Sequence, residues 1–239
     1  MDRRTVFVVN GGVNVGSALA RGLAARGHRV ALLDDGGAEA PAGVERVPCS
    51  FGTRAVLEAA FVEAVARCGP PDQVAVSVLP MAALQAREIQ SLDLKQWHAT
   101  CREAIKALMH VLQAAFTQLG ERGGSVVALG PALSLPGAGQ LVALSAAVEG
   151  QRGLVKSAAR QWGRRGLTVN WVAAAPRALS PLFETLPLPV KPDAVMVALG
   201  RGPALDEGLA GVVDYLGSPD GRALTGATLM ADGGEWMVP

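Results

Sequence analysis

The chain is poor in the residues that carry much of enzyme chemistry. Aromatic residues make up 4% of its 239 residues, with one tyrosine, Tyr215, and there are three histidines. His98 and His110 lie twelve apart on one predicted helix and share no metal-binding turn. His28 follows Gly27 in what reads as a surface turn. The three cysteines, Cys49, Cys68 and Cys101, include no C-x-x-C pair. No metal site or disulfide framework is therefore expected, and the thiols read as small buried hydrophobes of a reduced compartment. Charged residues are 18% of the chain, net charge is +1, and the 22 basic residues are scattered rather than blocked. That pattern argues against a nucleic-acid or anionic-membrane surface. The longest apolar run, around residues 74–84, contains Ser77 and Pro80 and is too short to span a bilayer. No signal-peptide pattern precedes the first strand, so a cytoplasmic location is the expectation.

What is abundant is apolar material, half of all residues. The length fits one large α/β domain. Residues 1–35 organise the rest. An apolar run over 5–9 reads as a buried strand, and a glycine turn follows with Gly11, Gly12 and Gly16. A helical pattern over 17–26 ends at Gly27, and a second apolar run over 30–33 stops at Asp34. Strand, glycine turn, helix, strand and acid form the layout of a dinucleotide-binding βαβ unit. Glycines let the backbone approach a pyrophosphate, and the helix N-terminus offers it unpaired N–H groups. Asn14 stands where a third glycine is usual. Two readings stay open: a nucleotide site, or a unit that keeps its shape without one. Asp34 reads equally as a ribose ligand or a solvated strand-end acid.

Further strands are expected over 44–49, 74–79, 125–129, 167–173 and 228–230. Helices are expected over 53–67, 94–119, 140–162 and 205–217. The apolar face of the first of these is read as Val56, Ala59, Ala60, Phe61, Val62 and Val65. Residues 35–43 read as a loop. The proline-rich stretch 176–204 has the length of a lid or binding loop. Alternating strands and helices predict a single doubly wound, Rossmann-type parallel sheet with helices on both faces.

With these elements in place the chain resembles the short-chain dehydrogenase/reductase family along nearly all its length. The matching stretches are Trp97 to Phe116 with Lys106, Gly124-Ser125, Ala146-Ala147-Val148-Glu149-Gly150, Val169-Asn170, Leu224-Thr225-Gly226 and Asp232-Gly233-Gly234. The resemblance implies a catalytic tyrosine four residues before a lysine, a serine that polarises the substrate, and an asparagine that supports a proton relay. The chain has four lysines, Lys95, Lys106, Lys156 and Lys191, and none follows a tyrosine by four. By motif position Leu141 replaces the tyrosine, Ser145 the lysine and Ala104 the asparagine. The serine position falls at Gly130-Pro131. No catalytic residue is therefore expected. Gly11, Gly16 and Asp34 remain of the cofactor contacts, while Ser50 stands where an aspartate would touch adenine.

Three functions follow as expectations. The first is a non-catalytic subunit that pairs with a catalytically intact paralogue, or with itself, through helices 94–119 and 140–162. It would need no cofactor of its own, or would bind NAD if the nucleotide site is retained. Among family members it resembles the inactive partner of a heteromeric hydroxyacyl thioester dehydrogenase, the benzylsuccinyl-CoA type being one example. The second is a non-redox isomerase, cyclase or lyase using the old cleft, with Ser134, Ser145 and Glu149 as the groups to test. The third is an NAD-dependent oxidoreductase with substituted residues, Asp34 favouring NAD over NADP. The bland readings are that Ser134 and Ser145 are polar filler and that Glu149 and Arg152 form a helix-surface pair.

Overall fold

The computed structural model describes residues 3–12, 15–36, 40–186 and 197–237. Asn14 and part of the 176–204 loop thus lie outside the described residues. Seven strands build one sheet: β1 (Thr5–Gly12), β2 (Arg29–Asp34), β3 (Val44–Pro48), β4 (Gln73–Leu79), β5 (Gly124–Pro131), β6 (Leu167–Ala174) and β7 (Thr228–Ala231). All neighbours pair in parallel, in the order β3-β2-β1-β4-β5-β6-β7. This is the doubly wound α/β fold expected. β4 and β6 are buried at every residue, as strands covered on both faces must be.

The chain winds from β1 out to β3, then returns to place β4 beside β1. Right-handed crossovers in the two directions put helices on opposite faces. α1 (Gly16–Ala25) packs with α7 (Ala210–Gly217). α2 (Arg54–Cys68), α4 (Glu103–Leu119) and α5 (Val142–Trp162) pack in sequence on the other side. The carboxyl ends of β1 and β4 form the switch point, where such folds keep their ligand crevice.

α2 starts at Thr53, whose Oγ1 accepts the Val56 N–H, and stops at Gly69 in a positive-φ turn (φ 82°). Its buried face differs from the expectation: Leu57, Ala60, Phe61, Ala64 and Cys68 point inward, while Val56 and Val62 are exposed by 42% and 61%. Apolar residues occupy nearly every side of this helix, so spacing alone does not select the face. Phe61 decides it by stacking edge-on against Phe7 of β1 at 5.7 Å. Burying such a ring contributes roughly 1.5–3 kcal/mol.

The long helix expected over 94–119 is interrupted. α3 (Leu94–Trp97) passes into a π-turn (His98–Arg102) before α4 begins. Downstream of it Ala104, Ala107 and Val111 are buried together with Leu108, Leu112 and Ala115, while Ile105 is only partly buried. After β6 comes α6 (Pro176–Leu179) and a short turn (Pro181–Thr185). Between β2 and β3 no helix stands among the described residues.

His28 is not in a surface turn. It is 5% exposed, its Nε2 lies 2.9 Å from Asp214 Oδ1, and its Nδ1 accepts the Arg4 N–H. Its carboxylate partner is distant in sequence, so local reading places it wrongly.

Candidate functional site

The switch-point crevice has two ends, and the nicotinamide end of a family site would lie over β5 and the start of α5. Leu141 caps α5 and is 2% exposed. One turn on, the Ser145 N–H donates to the Leu141 carbonyl, so the two positions share one helix face. The next pair on the helix, Leu144 and Val148, is fully buried. Neither pair contains a tyrosine or a lysine. Pro131 ends β5 and is followed by a short turn (Ala132–Ser134). The Ser134 and Ser145 hydroxyls are both buried, with no hydrogen-bond partner among the described residues. Tyr215 stands on α7, 46% exposed, bonded to the Asp220 carbonyl.

Gln140, just before Leu141, has φ 63° and is the one non-glycine residue with positive φ among those described. Its carbonyl is held by the Arg87 N–H at 2.7 Å. Such strain persists only where neighbours over-determine it, and it clusters at functional sites.

Ala104 is completely buried, and its carbonyl is taken by Gln151 of α5. Gln151 Nε2 donates at 3.0 Å to Ala104 O and at 2.9 Å to Val78 O, tying α4, α5 and the end of β4 together. Sequence reading missed Gln151. A lone polar residue on the apolar side of α5 was the available signal. Glu149 and Arg152 form the ion pair expected, at 2.6 Å.

At the other end a cavity of about 330 Å³ is lined by Gly11, Gly12, Asp35, Phe51, Val78 and Glu103, among others. Each glycine has a packing reason. A Cβ on Gly16 would fall 2.7 Å from Asn10 Cβ and 2.8 Å from Leu32, so α1 can sit close on the sheet only with glycine there. A Cβ on Gly11 would lie 3.0 Å from the Phe51 ring. Phe51 therefore covers the glycine a pyrophosphate would approach.

Asp34 is neither solvated nor free. It is 3% exposed, and Arg46 of β3 holds its Oδ1 at 2.8 Å. Burial pushes its carboxyl up from the usual aspartate value, and Arg46 partly offsets that. The acid that faces the cavity is Asp35, whose Oδ1 accepts the Gly12 N–H at 3.3 Å. Glu103 lies on the opposite wall. Its carboxyl is held below the ordinary range by its hydrogen bond to Lys106 and by Arg102. Asp35, Phe51 and Glu103 were not singled out from sequence. Asp35 adjoins the acid that was, and only the fold brings the other two here.

The family described as enoyl-(acyl carrier protein) reductase matches residues 12–235. The chain belongs to the short-chain dehydrogenase/reductase family. It is 27% identical over 241 residues to the 3-oxoacyl-(acyl-carrier-protein) reductase MabA of Mycobacterium avium, covering 98% of this chain and 90% of that protein. It is 25% identical over 255 residues to the (+)-cis,trans-nepetalactol synthase NEPS1 of Nepeta racemosa, covering 100% of this chain and 93% of the synthase. The crystal structure of 3-ketoacyl-(acyl-carrier-protein) reductase from Brucella melitensis, complexed with NADH, has the same fold. Its TM-score is 0.84 at 17% identity, over 98% of each chain.

The family implies a nicotinamide dinucleotide, and several of the described residues fit one poorly. Among the described residues the cavity beside the glycine turn is lined by two carboxylates and no lysine or arginine, and only Glu103 of the two is paired with a cation, a poor match to a pyrophosphate. The expected ribose acid is engaged by Arg46. The nicotinamide end offers an apolar helix face and two serines with buried hydroxyls. Among the described residues no group of three His, Cys, Asp or Glu is placed to hold a metal ion. No helix among them is long and apolar enough to cross a membrane.

Proposed function

We propose that this short-chain dehydrogenase/reductase is a non-catalytic subunit. It pairs, through α4 and α5, with a catalytically intact paralogue that acts on hydroxyacyl thioesters, and it carries no nicotinamide cofactor of its own. One observation supports this above the rest. The motif pair at the start of α5, Leu141 with Ser145, lacks the phenol and ammonium that family chemistry requires, and the next pair, Leu144 with Val148, is core. Groups that act as a unit lose nearly all transition-state stabilisation when they go together. The fold around them is intact, from the glycine turn to β7. The chain keeps what assembly needs and lacks what hydride transfer needs. In such a subunit α4 and α5 supply the contact, and Gln151 fixes their mutual position. The acyl thioester assignment takes its direction from the acyl-carrier-protein reductases the chain is similar to.

The test is co-expression with an intact paralogue bearing Tyr-x-x-x-Lys. A defined heteromer whose dehydrogenase rate exceeds that of the paralogue alone supports the proposal. A stable homo-oligomer with its own nicotinamide turnover refutes it.

A second reading is a non-redox enzyme in the same cleft. It is favoured by the similarity to a nepetalactol synthase and by the unpartnered Ser134 and Ser145 hydroxyls. Product analysis after incubating the chain with reactive dialdehydes, in wild type and in Ser134→Ala and Ser145→Ala variants, tests it. No product in any sample removes this reading.

A further inference from the structure

A second cavity, about 230 Å³, lies at the opposite end of the sheet, where the strands begin. Arg4 precedes β1, Asp72 precedes β4, Ser125 opens β5, Thr168 opens β6, and Gly217 ends α7. Five segments distant in sequence thus share one hollow, a full strand length from the Gly11 cavity. Three guanidinium groups line it, from Arg4, Arg122 and Arg222.

The single acid among the described residues of that wall is already engaged. Asp72 Oδ2 accepts the Thr5 N–H at 2.8 Å, and its Oδ1 lies 3.4 Å from Arg122. Arg4 gives its Nη2 to Asp214, yet its Nη1 has no hydrogen-bond partner among the described residues. The exposed Arg222 side chain makes no hydrogen bond or ion pair with any described residue, and neither does the hydroxyl of Thr168, which is 8% exposed. Gly217 keeps Arg4 in place: a Cβ there would fall 2.3 Å from Arg4 Nη1. Among the described residues the hollow therefore holds one unpaired guanidinium, Arg222, beside two paired ones, a hydroxyl donor without an acceptor and no free carboxylate.

The structure assigns this hollow as a binding site for a small tetrahedral oxyanion, inorganic phosphate or a small phosphomonoester. Guanidinium forks match phosphate oxygens in geometry and in charge. The volume is below the roughly 300–1,000 Å³ of cofactor-sized pockets, so the occupant is small. Because the site joins the starts of β1, β4, β5 and β6 to the end of α7, occupancy stabilises the fold by mass action. The site shares no residue with the crevice, so it stands or falls independently of the subunit proposal.

The experiment is calorimetry of the purified chain with inorganic phosphate and with glycerol phosphate, against chloride at matched ionic strength, with thermal melts alongside. Arg222→Ala and Thr168→Val leave the core contacts of Arg4 untouched, and Arg54→Ala on α2 is the control. Saturable binding of inorganic phosphate is expected, weakened about tenfold or more by Arg222→Ala, the loss of one charge-assisted hydrogen bond. Thr168→Val weakens it severalfold, and Arg54→Ala leaves it unchanged. Tighter binding of glycerol phosphate identifies the phosphomonoester as the better occupant; equal binding identifies the free ion. No saturable heat at millimolar phosphate overturns the assignment. So does binding that neither Arg222→Ala nor Thr168→Val weakens.

Discussion

Replacing Gln151 with methionine tests how the old relay position is sealed. The side chain is 3% exposed, and its Nε2 serves two carbonyls, Val78 O at 2.9 Å and Ala104 O at 3.0 Å. Methionine keeps nearly the same volume, so no cavity is made and the change isolates the hydrogen bonds. The Ala104 carbonyl keeps its place in the α4 hydrogen-bond ladder, so its loss costs about 1 kcal/mol, while a Val78 carbonyl left dry costs about 1–3 kcal/mol, and removing the buried amide gives back part of that. The net loss is about 1–3 kcal/mol, which for a chain of this length lowers Tm by roughly 2–12 °C. Urea unfolding should show a lower midpoint with an unchanged slope, because the same surface is exposed on unfolding. Gln151→Glu should be worse at neutral pH, since a carboxylate accepts and cannot donate. A Gln151→Met variant within about 0.5 kcal/mol of wild type, the range of an ordinary surface change, would refute this account of the α4–α5 contact.

Gly130→Ala places a Cβ 2.3 Å from Trp171 Cζ2, and that ring is 1% exposed. Urea denaturation should report a loss of about 1–3 kcal/mol, partly recovered in a Gly130→Ala/Trp171→Phe double variant. Carboxyl NMR should place the Asp34 titration above the ordinary aspartate value, and Arg46→Met should move it higher still, because Arg46 opposes the effect of burial. The folded state holds this proton more tightly than the unfolded chain, so Asp34 costs stability above its folded pKa. That cost is relieved as pH falls through the window down to the unfolded value. Burial pushes the Cys49 thiol up to about 12. All three cysteines are buried, so iodoacetamide near pH 8 should leave the native chain unmodified and alkylate it after unfolding. Mass spectrometry reads the difference.

Much of the fold was legible because parallel strands buried on both faces become largely apolar runs. The runs at β1, β4 and β6 could be little else. The glycine turn and the acid after β2 gave the direction of winding. What sequence could not give was contact between distant segments. Asp34 is buried by Arg46, which comes from the neighbouring strand, and His28 is buried by Asp214. The π-turn at His98–Arg102 carries no local signature, so the spacing shows one continuous helix where the structure has an interrupted one, although Cys101, Leu108, Leu112 and Ala115 are buried as that spacing requires. At the site, the tyrosine and lysine were visibly absent from the sequence alone. What fills the space was not visible. Phe51 over Gly11, Asp35 on the Gly12 N–H and Gln151 on the Ala104 carbonyl all depend on packing across the crevice.

Single-turnover hydride transfer tests the central claim most directly. The purified chain, in excess, is mixed with NADH or NADPH and a 3-oxoacyl thioester, and the nicotinamide absorbance is followed. The account predicts no oxidation beyond the enzyme-free rate with either cofactor. Stoichiometric oxidation of either, with formation of the 3-hydroxyacyl thioester, would contradict it and return this chain to the catalytic members of its family.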